Sequence, residues 1–407
     1  MDPELVARLA DGPGRALLDS LDAYAADSAL ALSTQLRAAG HDPQLVSAVL
    51  AQARLRGLAT DKFGGAADRM LFTADGLEQA TRPELAARHA QRFVAAGVDA
   101  VTDLGCGIGS DAMALAEAGL TVTAVEVDPV TAAVARANLA PWPATRVVQS
   151  PAEAVSLPRE VGGRHTGVWV DPGRRVTGAR DVDGRARRVF SLDAISPSWA
   201  QVQAWAAEVP ATGAKLSPAL PHAAVPVGVE AQWSSWRGEV LECAVWWGPL
   251  AQVSGRTAAV CRPGADPAIL TEADVRDEPT LTGIEGIGPW LLEADRAVVR
   301  AGLSGALPGR ELSAGVGYAC ADAPVELPWL RCWALVEAMP LRVKAVRAWL
   351  RARAIGHVTV KKRGTSVDTD RLRRELTVPG LTRSATLVVT TVAGHPVALV
   401  VEPPPRA

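Results

Sequence analysis

Lysine is scarce in this chain. Of 42 basic residues over 407 positions only Lys62, Lys215, Lys344, Lys361 and Lys362 are lysines; the rest are arginines. The six histidines are dispersed, and the five cysteines (Cys106, Cys243, Cys261, Cys320 and Cys332) contain no Cys-x-x-Cys pair. That spacing predicts no metal site, and it fits reduced thiols in a cytoplasm. No run of roughly 18 apolar residues exists, so no membrane-spanning helix is expected. The first residues carry Asp2 and Glu4 and no apolar stretch, which argues against a secretory signal.

Apolar residues make up 48% of the sequence, which excludes a chain disordered throughout. The length fits two or three domains at ~100–200 residues each. The formal charge of −2 hides an asymmetry. Residues 341–407 hold 13 Lys/Arg and 4 Asp/Glu, while the preceding residues hold 29 and 40. A basic end on an acidic body suggests a polyanionic partner; a solvated helix face is the plainer reading. No internal repeat is visible.

Residues 1–75 read as an N-terminal helical region. Apolar spacing near three and four runs through 15–26, 29–39 and 43–56, punctuated by Gly40 and Pro43. Thr81-Arg82-Pro83-Glu84 has the pattern of a capping box before a helix over 81–94. His89 lies on the apolar stripe of that helix, as a packed core histidine. From 100 to 250 short strands (100–104, 122–127, 146–149, 167–170, 213–216) alternate with helical runs, which implies βαβ units and a parallel sheet. Residues 229–236 and 239–247, joined by Arg237-Gly238, read as a hairpin. Residues 249–282 are rich in Gly, Pro and Asp and mark a boundary, and 256–282 is expected to be a linker between a core over 76–255 and an α+β module over 283–407.

The segment Asp103-Leu104-Gly105-Cys106-Gly107-Ile108-Gly109 follows a strand and opens a helix. Its glycines permit positive φ and close approach of a ligand, and the helix start offers free N–H groups. The pattern is G-x-G-x-G rather than the dinucleotide G-x-G-x-x-G, with an acid two residues ahead. Asp103 disfavours a pyrophosphate and favours a cationic ligand. Glu126, at the tip of the next strand, can accept both hydroxyls of a ribose. An adenosine joined to an amino acid is S-adenosylmethionine.

On these residues the sequence resembles the class I S-adenosylmethionine-dependent methyltransferases, whose Rossmann-like core is a seven-stranded sheet ending in a hairpin. The resemblance implies that Asp103, Gly105, Cys106, Gly107 and Gly109 hold the methionine part. It places Glu126 on the ribose, Val127 on the adenine face, and Ala152 and Glu153 near the adenine amino group. Gln79 and Thr81 match a segment that closes over the cofactor in trimethylguanosine-synthase-like enzymes; helix capping by Thr81 is the alternative.

Enzymes that methylate exocyclic amino groups of bases carry D-P-P or N-P-P with an aromatic after the fourth strand. This sequence keeps Asp171-Pro172 but continues Gly173-Arg174-Arg175. Asp171, Pro172, Arg174 and Arg175 are the candidate catalytic residues, the arginines as phosphate binders or as partners of nearby acids. The Arg-rich stretch 174–188 reads as a mobile loop, either a substrate lid or solvated.

Over roughly 60–402 the chain is similar to a bacterial family with a methyltransferase core and a C-terminal THUMP-like domain. The matching pieces are Glu78-Gln79-Ala80-Thr81, Asp171-Pro172, Lys215-Leu216-Ser217-Pro218, Glu293–Arg300 and Lys361-Lys362-Arg363-Gly364. The resemblance implies an α+β, ferredoxin-like terminal domain and a structured RNA substrate, tRNA or rRNA, with Lys361, Lys362 and Arg363 on its phosphates. A small-molecule or protein substrate is the second reading, and a cofactor-fold binding protein without turnover the third. Oligomeric state is not legible.

Overall fold

The computed structural model describes residues 1–21, 29–157, 160–161, 164–173, 175–180, 186–188, 192, 195–276 and 279–403. They form two compact units, Met1–Ser217 with Val245–Gln252, and Pro218–Ala244 with Val253–Ala407.

The first unit begins with helices α1 (Pro3–Ala10), α2 (Gly12–Asp19), α3 (Ala29–Ala38) and α4 (Pro43–Phe63). Asp2, Asp11 and Asp42 cap α1, α2 and α4 by accepting backbone N–H groups, and a proline stands in each first turn. Then come α5 (Ala74–Gln79), α6 (Pro83–Ala95), β1 (Ala100–Leu104), α7 (Ser110–Glu117) and β2 (Thr121–Glu126). They are followed by α8 (Pro129–Leu139), β3 (Thr145–Gln149), β4 (Arg164–Val170), α9 (Trp199–Glu208) and β5 (Thr212–Leu216). The sheet order is β3-β2-β1-β4-β5, every pair parallel.

The expected N-terminal helical region does not stand apart. Val6, Leu9, Val49, Phe63 and Phe72 share one core with Ile108 of the glycine loop and Val134 of α8. Asn138 strengthens the joint: it accepts the Leu71 N–H at 2.8 Å and donates to the carbonyls of Leu71 and Ile108. Backbone groups of two buried connecting segments are thereby satisfied inside the protein.

Hairpin strands β6 (Glu230–Trp236) and β7 (Glu239–Trp246) pair across Arg237-Gly238. Both turn residues have positive φ, 52° and 86°, as a two-residue hairpin loop requires. The last residues of β7 belong to the first unit, where Trp247 donates to the Thr212 carbonyl at 2.9 Å.

The linker expected over 256–282 is instead structured. Strands β8 (Gly255–Arg262) and β9 (Ala265–Thr271) turn at Gly264, and β8 runs parallel to β6. The reason is the run Thr257-Ala258-Ala259-Val260-Cys261, every side chain of which is buried. Within 174–188, read as a loop, Arg175–Arg180 and Ala186–Arg188 pair as antiparallel strands. Arg174 lies outside the described residues, as do parts of that stretch and of the helix expected over 15–26.

The rest of the second unit comprises β10 (Trp290–Ala294), α10 (Arg296–Arg300), β11 (Tyr318–Ala321), β12 (Leu330–Pro340), α11 (Val343–Ala352), β13 (Ile355–Lys362), α12 (Thr369–Leu376), β14 (Arg383–Val392) and β15 (His395–Glu402). Its sheet runs β11-β10-β12-β15-β14-β13, with short Arg310–Glu311 outside β11. The α+β character is as expected. The connectivity from β12 onward is β-α-β-α-β-β, with β13 and β14 parallel, where a ferredoxin-like module runs β-α-β-β-α-β. Helices α11 and α12 are amphipathic and set Val346, Leu350, Leu372 and Leu376 into one core with Leu387, Val389 and Val400.

Candidate functional site: a glycine-loop cavity

The loop after β1 turns back through three left-handed glycines, Gly105 (φ +86°), Gly107 (+56°) and Gly109 (+93°). The N–H groups of Gly105 and Cys106 both donate to the Val125 carbonyl at 2.9 Å, which pins the loop to the end of β2. A Cβ on Gly105 would stand 2.6 Å from the Asp171 carbonyl oxygen. A Cβ on Gly107 would meet nothing within 4 Å. The loop is thus tight against the protein at its first glycine and open at its second.

Glu126 bends back onto this loop. Its Oε2 accepts the Gly107 N–H at 3.0 Å and its Oε1 the Asp128 N–H at 2.9 Å. Burial pushes the Glu126 carboxyl upward, and those two backbone donors oppose the shift.

Over the loop lies α5, whose Gly76 would carry a Cβ only 2.3 Å from Ile108 Cγ2. After it comes Thr81, which sequence marked as a possible helix cap. It is not one: Arg82 occupies the cap position of α6 and no side chain caps it. The Thr81 hydroxyl instead donates to Asp111 Oδ2 at 2.5 Å and accepts from Lys215 Nζ at 2.7 Å. The carboxylate takes the hydroxyl hydrogen and the ammonium takes the oxygen lone pair that a cap would offer to a backbone N–H, both as charge-assisted bonds. Burial raises the Asp111 carboxyl, but the His89 ring beside it and further donors bring it down to about 2.

At the end of β4, the Asp171 N–H donates to the Leu104 carbonyl at 3.0 Å, so the acidic motif abuts the glycine loop. Asp171 Oδ2 lies 2.5 Å from Lys215 Nζ. Gly173 and Ser196 exchange backbone hydrogen bonds at 2.6 and 3.2 Å, which ties the strand end to the start of α9.

These pieces enclose a cavity of about 370 Å³, inside the usual range for small-molecule sites of roughly 300–1,000 Å³. Of the residues named from sequence, Gln79, Thr81, Gly105, Cys106, Gly107, Glu126, Val127, Ala152, Glu153, Asp171 and Pro172 line it. Asp103 and Gly109 stand behind the loop rather than on the wall: Asp103 is 1% exposed, and Gly109 packs on Leu139. Of Arg175 only the strand is described. Sequence reasoning assigned no site role to Lys215, Asp111 or His89. The available signal was Lys215 itself, one of the chain's few lysines, placed in a strand that is buried at every position.

The methyltransferase domain family matches residues 102–161, and the THUMP domain-like family matches 330–403. A domain of unknown function matches 2–59. An uncharacterized S-adenosylmethionine-dependent methyltransferase of Mycobacterium tuberculosis, found in two strains, is 32% identical over 331 residues, which is 79% of this chain and 84% of the relative. The chain belongs to the S-adenosylmethionine-dependent methyltransferases. It is of class I and carries a C-terminal THUMP-like domain. A crystal structure from Porphyromonas gingivalis W83, assigned as a methyltransferase, shows the same fold at a TM-score of 0.65 and 18% identity, over 94% of this chain and all of that one.

The cavity of this methyltransferase fits the cofactor. Among the described residues its wall carries the acids Asp75, Asp111, Glu126, Glu153 and Asp171 against the ammonium of Lys215, a balance suited to a ligand bearing a sulfonium and an ammonium. The open side of Gly107 leaves room for close backbone approach. Behind the loop, neither carboxylate oxygen of Asp103 has a hydrogen-bond partner among the described residues. Burial, with Asp111 and Asp171 nearby, pushes its pKa well above the carboxylate range.

In the THUMP-like unit, the cluster Lys361-Lys362-Arg363 does not present three cations outward. Lys361 Nζ donates to Glu293 Oε2 at 2.5 Å and sits 4.7 Å from the Trp333 ring centre. Arg363 donates to the carbonyls of Ala294 and Gly317 and lies over Tyr318. Glu293 is a largely buried acid whose carboxyl is held down against burial by Lys361 and Arg363, so both cations are committed within the unit. Only Lys362 is exposed, and it donates to the Val367 carbonyl at 2.8 Å. The exposed charge lies elsewhere. Arg342, Lys344, Arg351 and Arg374 are exposed on or beside α11 and α12, and among the described residues they form no ion pair.

Proposed function

We propose that this methyltransferase acts on RNA, tRNA or rRNA, held by the outer faces of α11 and α12. Two things support the reading: the THUMP-like match over 330–403, and the exposed cations on and beside α11 and α12 that form no ion pair among the described residues. The second carries it, because exposed arginines without carboxylate partners are free to neutralise phosphates. The enzyme would be cytoplasmic.

Bound S-adenosylmethionine supplies a methyl group activated by its sulfonium. Around it Glu126 would hold the ribose hydroxyls, the Gly105–Gly109 loop the methionine part, and Ala152 and Glu153 the adenine edge. Asp171, with Pro172, would receive the acceptor group and accept its hydrogens, so that the acceptor lone pair points at the methyl. Transfer of this kind depends on alignment more than on acid–base help. A target base would leave its stack to reach the cavity.

The test is incubation with radiolabelled S-adenosylmethionine and an extract of cells lacking the gene, separated into RNA, protein and small molecules. Label in the RNA fraction is expected. Label confined to another fraction would overturn the RNA reading in favour of a small-molecule or protein substrate.

A further inference from the structure

A line of side chains runs through the first unit from His89 to the cavity wall. His89 Nδ1 stands 2.8 Å from Asp111 Oδ1. Thr81 donates to Asp111 Oδ2 at 2.5 Å, Lys215 donates to Thr81 at 2.7 Å, and Lys215 meets Asp171 Oδ2 at 2.5 Å. The His89 ring lies on Trp169 at 4.4 Å between centres, two residues before Asp171 on the same chain. Five chain segments, around 81, 89, 111, 171 and 215, meet in this line.

The direction of each bond is fixed. Asp111 is ionised above about pH 2, so it only accepts, and the hydrogens between it and both neighbours belong to Thr81 and His89. With its hydroxyl hydrogen directed at Asp111, Thr81 meets Lys215 through its oxygen, as an acceptor. Lys215 is 5% exposed and an ammonium donates only. It also meets Asp171, the member of the line whose side chain is 24% exposed. Burying an ammonium is costly unless it is paired, and this one is paired toward the cavity rather than away from it.

From this arrangement we propose that Lys215 is a positioning residue: it locks Asp171 Oδ2, so that the acceptor meets the carboxylate in one orientation, and Thr81 holds Lys215 in place. The inference rests on the reading of Asp171 as the group that receives the acceptor; it does not depend on the acceptor being RNA. Without the ammonium, Asp171 Oδ2 loses the partner that stands 2.5 Å from it, and the carboxylate is held less closely in that orientation. Misplacement of about 1 Å costs on the order of 10²-fold in rate.

The experiment compares the full-length enzyme with Lys215→Met, Lys215→Arg, Asp171→Ala and the double variant Lys215→Met/Asp171→Ala, by label transfer into the extract fractions and by S-adenosylmethionine binding. Lys215→Met should bind the cofactor within a few-fold of wild type and lose roughly 10–100-fold in kcat. Lys215→Arg, which keeps the charge, should recover part of that loss. In the Asp171→Ala background, adding Lys215→Met should change little, because the two act as one unit. A merely structural lysine would instead give equal, additive losses in both backgrounds, with cofactor binding lost in step. That result, or wild-type kcat in Lys215→Met, overturns the proposal. Should Lys215→Met not fold, Thr81→Val removes the neighbouring hydroxyl while leaving the ion pair, and unchanged kcat in that folded variant would overturn the role of Thr81. Label in protein or small molecules alone would sink the RNA reading and leave the Lys215 comparison intact; label in no fraction would overturn both.

Discussion

The carbonyl oxygen of Asp171 lies against Gly105, 2.6 Å from where a Cβ would stand. The acceptor motif after β4 and the cofactor loop after β1 are therefore built as one piece, joined again by the Asp171 N–H on the Leu104 carbonyl. Gly105→Ala meets both this backbone oxygen and an unfavourable φ of +86°. It should lower stability by about 1–3 kcal/mol, the scale of a strained backbone position. Gly107→Ala meets no neighbour but still takes a left-handed φ of +56°, so it should lose only the ~1–2 kcal/mol of that conformation, less than Gly105→Ala, yet bind S-adenosylmethionine poorly because its methyl enters the space open for the ligand. Paired thermal melts and calorimetry check this; equal melting and equal affinity in the two variants would contradict it.

Glu126 offers the second test. If its carboxylate accepts the ribose hydroxyls, Glu126→Ala should weaken S-adenosylmethionine binding by ~1.5–3 kcal/mol, the scale of hydrogen bonds to a charged group. Part of the loss passes through the loop, since Glu126 also holds the Gly107 N–H at 3.0 Å. Glu126→Gln retains an oxygen for that N–H and should lose less. Calorimetry with unchanged affinity in both variants would remove Glu126 from the cofactor site.

The glycine loop, Glu126 and Asp171 were legible because each is a local pattern at a strand end, and the topology of an α/β sheet brings strand ends to one edge. The strands of the first sheet were legible for the same reason, through alternation of short apolar runs with helices. What sequence could not supply was side-chain pairing across the fold. Thr81 followed by Glu84 spells a capping box, but tertiary contacts with Asp111 and Lys215 claim its hydroxyl. Lys361-Lys362-Arg363 spells a basic patch, but Glu293, distant in sequence, takes two of the three cations. Residues 256–282 look like a linker by the Gly, Pro and Asp content of the wider stretch 249–282, and a five-residue buried run outweighs that composition.

Asp103 and Asp111 should leave opposite marks on the pH dependence of stability. The Asp103 pKa is raised in the folded state, so the stability it contributes is complete below the unfolded value near ~3.9 and is lost as pH rises toward the folded value. Within that window the loss is about 1.4 kcal/mol per pH unit at most. The Asp111 pKa is depressed to about 2, so its contribution is present above the unfolded value and is lost as pH falls from ~3.9 toward 2. Denaturant melts of the cofactor-free protein across pH should show Asp103→Asn flattening the upper window only. A variant curve parallel to wild type there would mean that Asp103 is hydrogen-bonded in solution.

The last expectation separates the two basic groups of the THUMP-like domain. RNA held through phosphates releases counterions, so binding should weaken with salt, by about −0.7 in log–log slope per contact on a single strand. Replacing Arg342, Arg351 and Arg374 with Ala removes exposed cations that pair with no acid among the described residues. If all three touch phosphate, the slope should fall by roughly 2, with little dependence on RNA sequence. Their stability cost should be small, since exposed arginines without partners contribute little to the fold. Lys361→Ala and Arg363→Ala should behave in the reverse way. Each leaves the largely buried Glu293 short of a partner, so the domain should lose stability, on the order of 3–5 kcal/mol if the pair breaks as buried pairs do and less where solvent reaches Lys361. The salt slope should stay near wild type as long as the domain remains folded. Filter binding at several salt concentrations, alongside thermal melts, distinguishes the patterns. A slope that falls with Lys361→Ala but not with the helix arginines would return the phosphate contacts to 361–363. A wild type with no salt-dependent RNA binding would detach the basic helices from substrate recognition altogether.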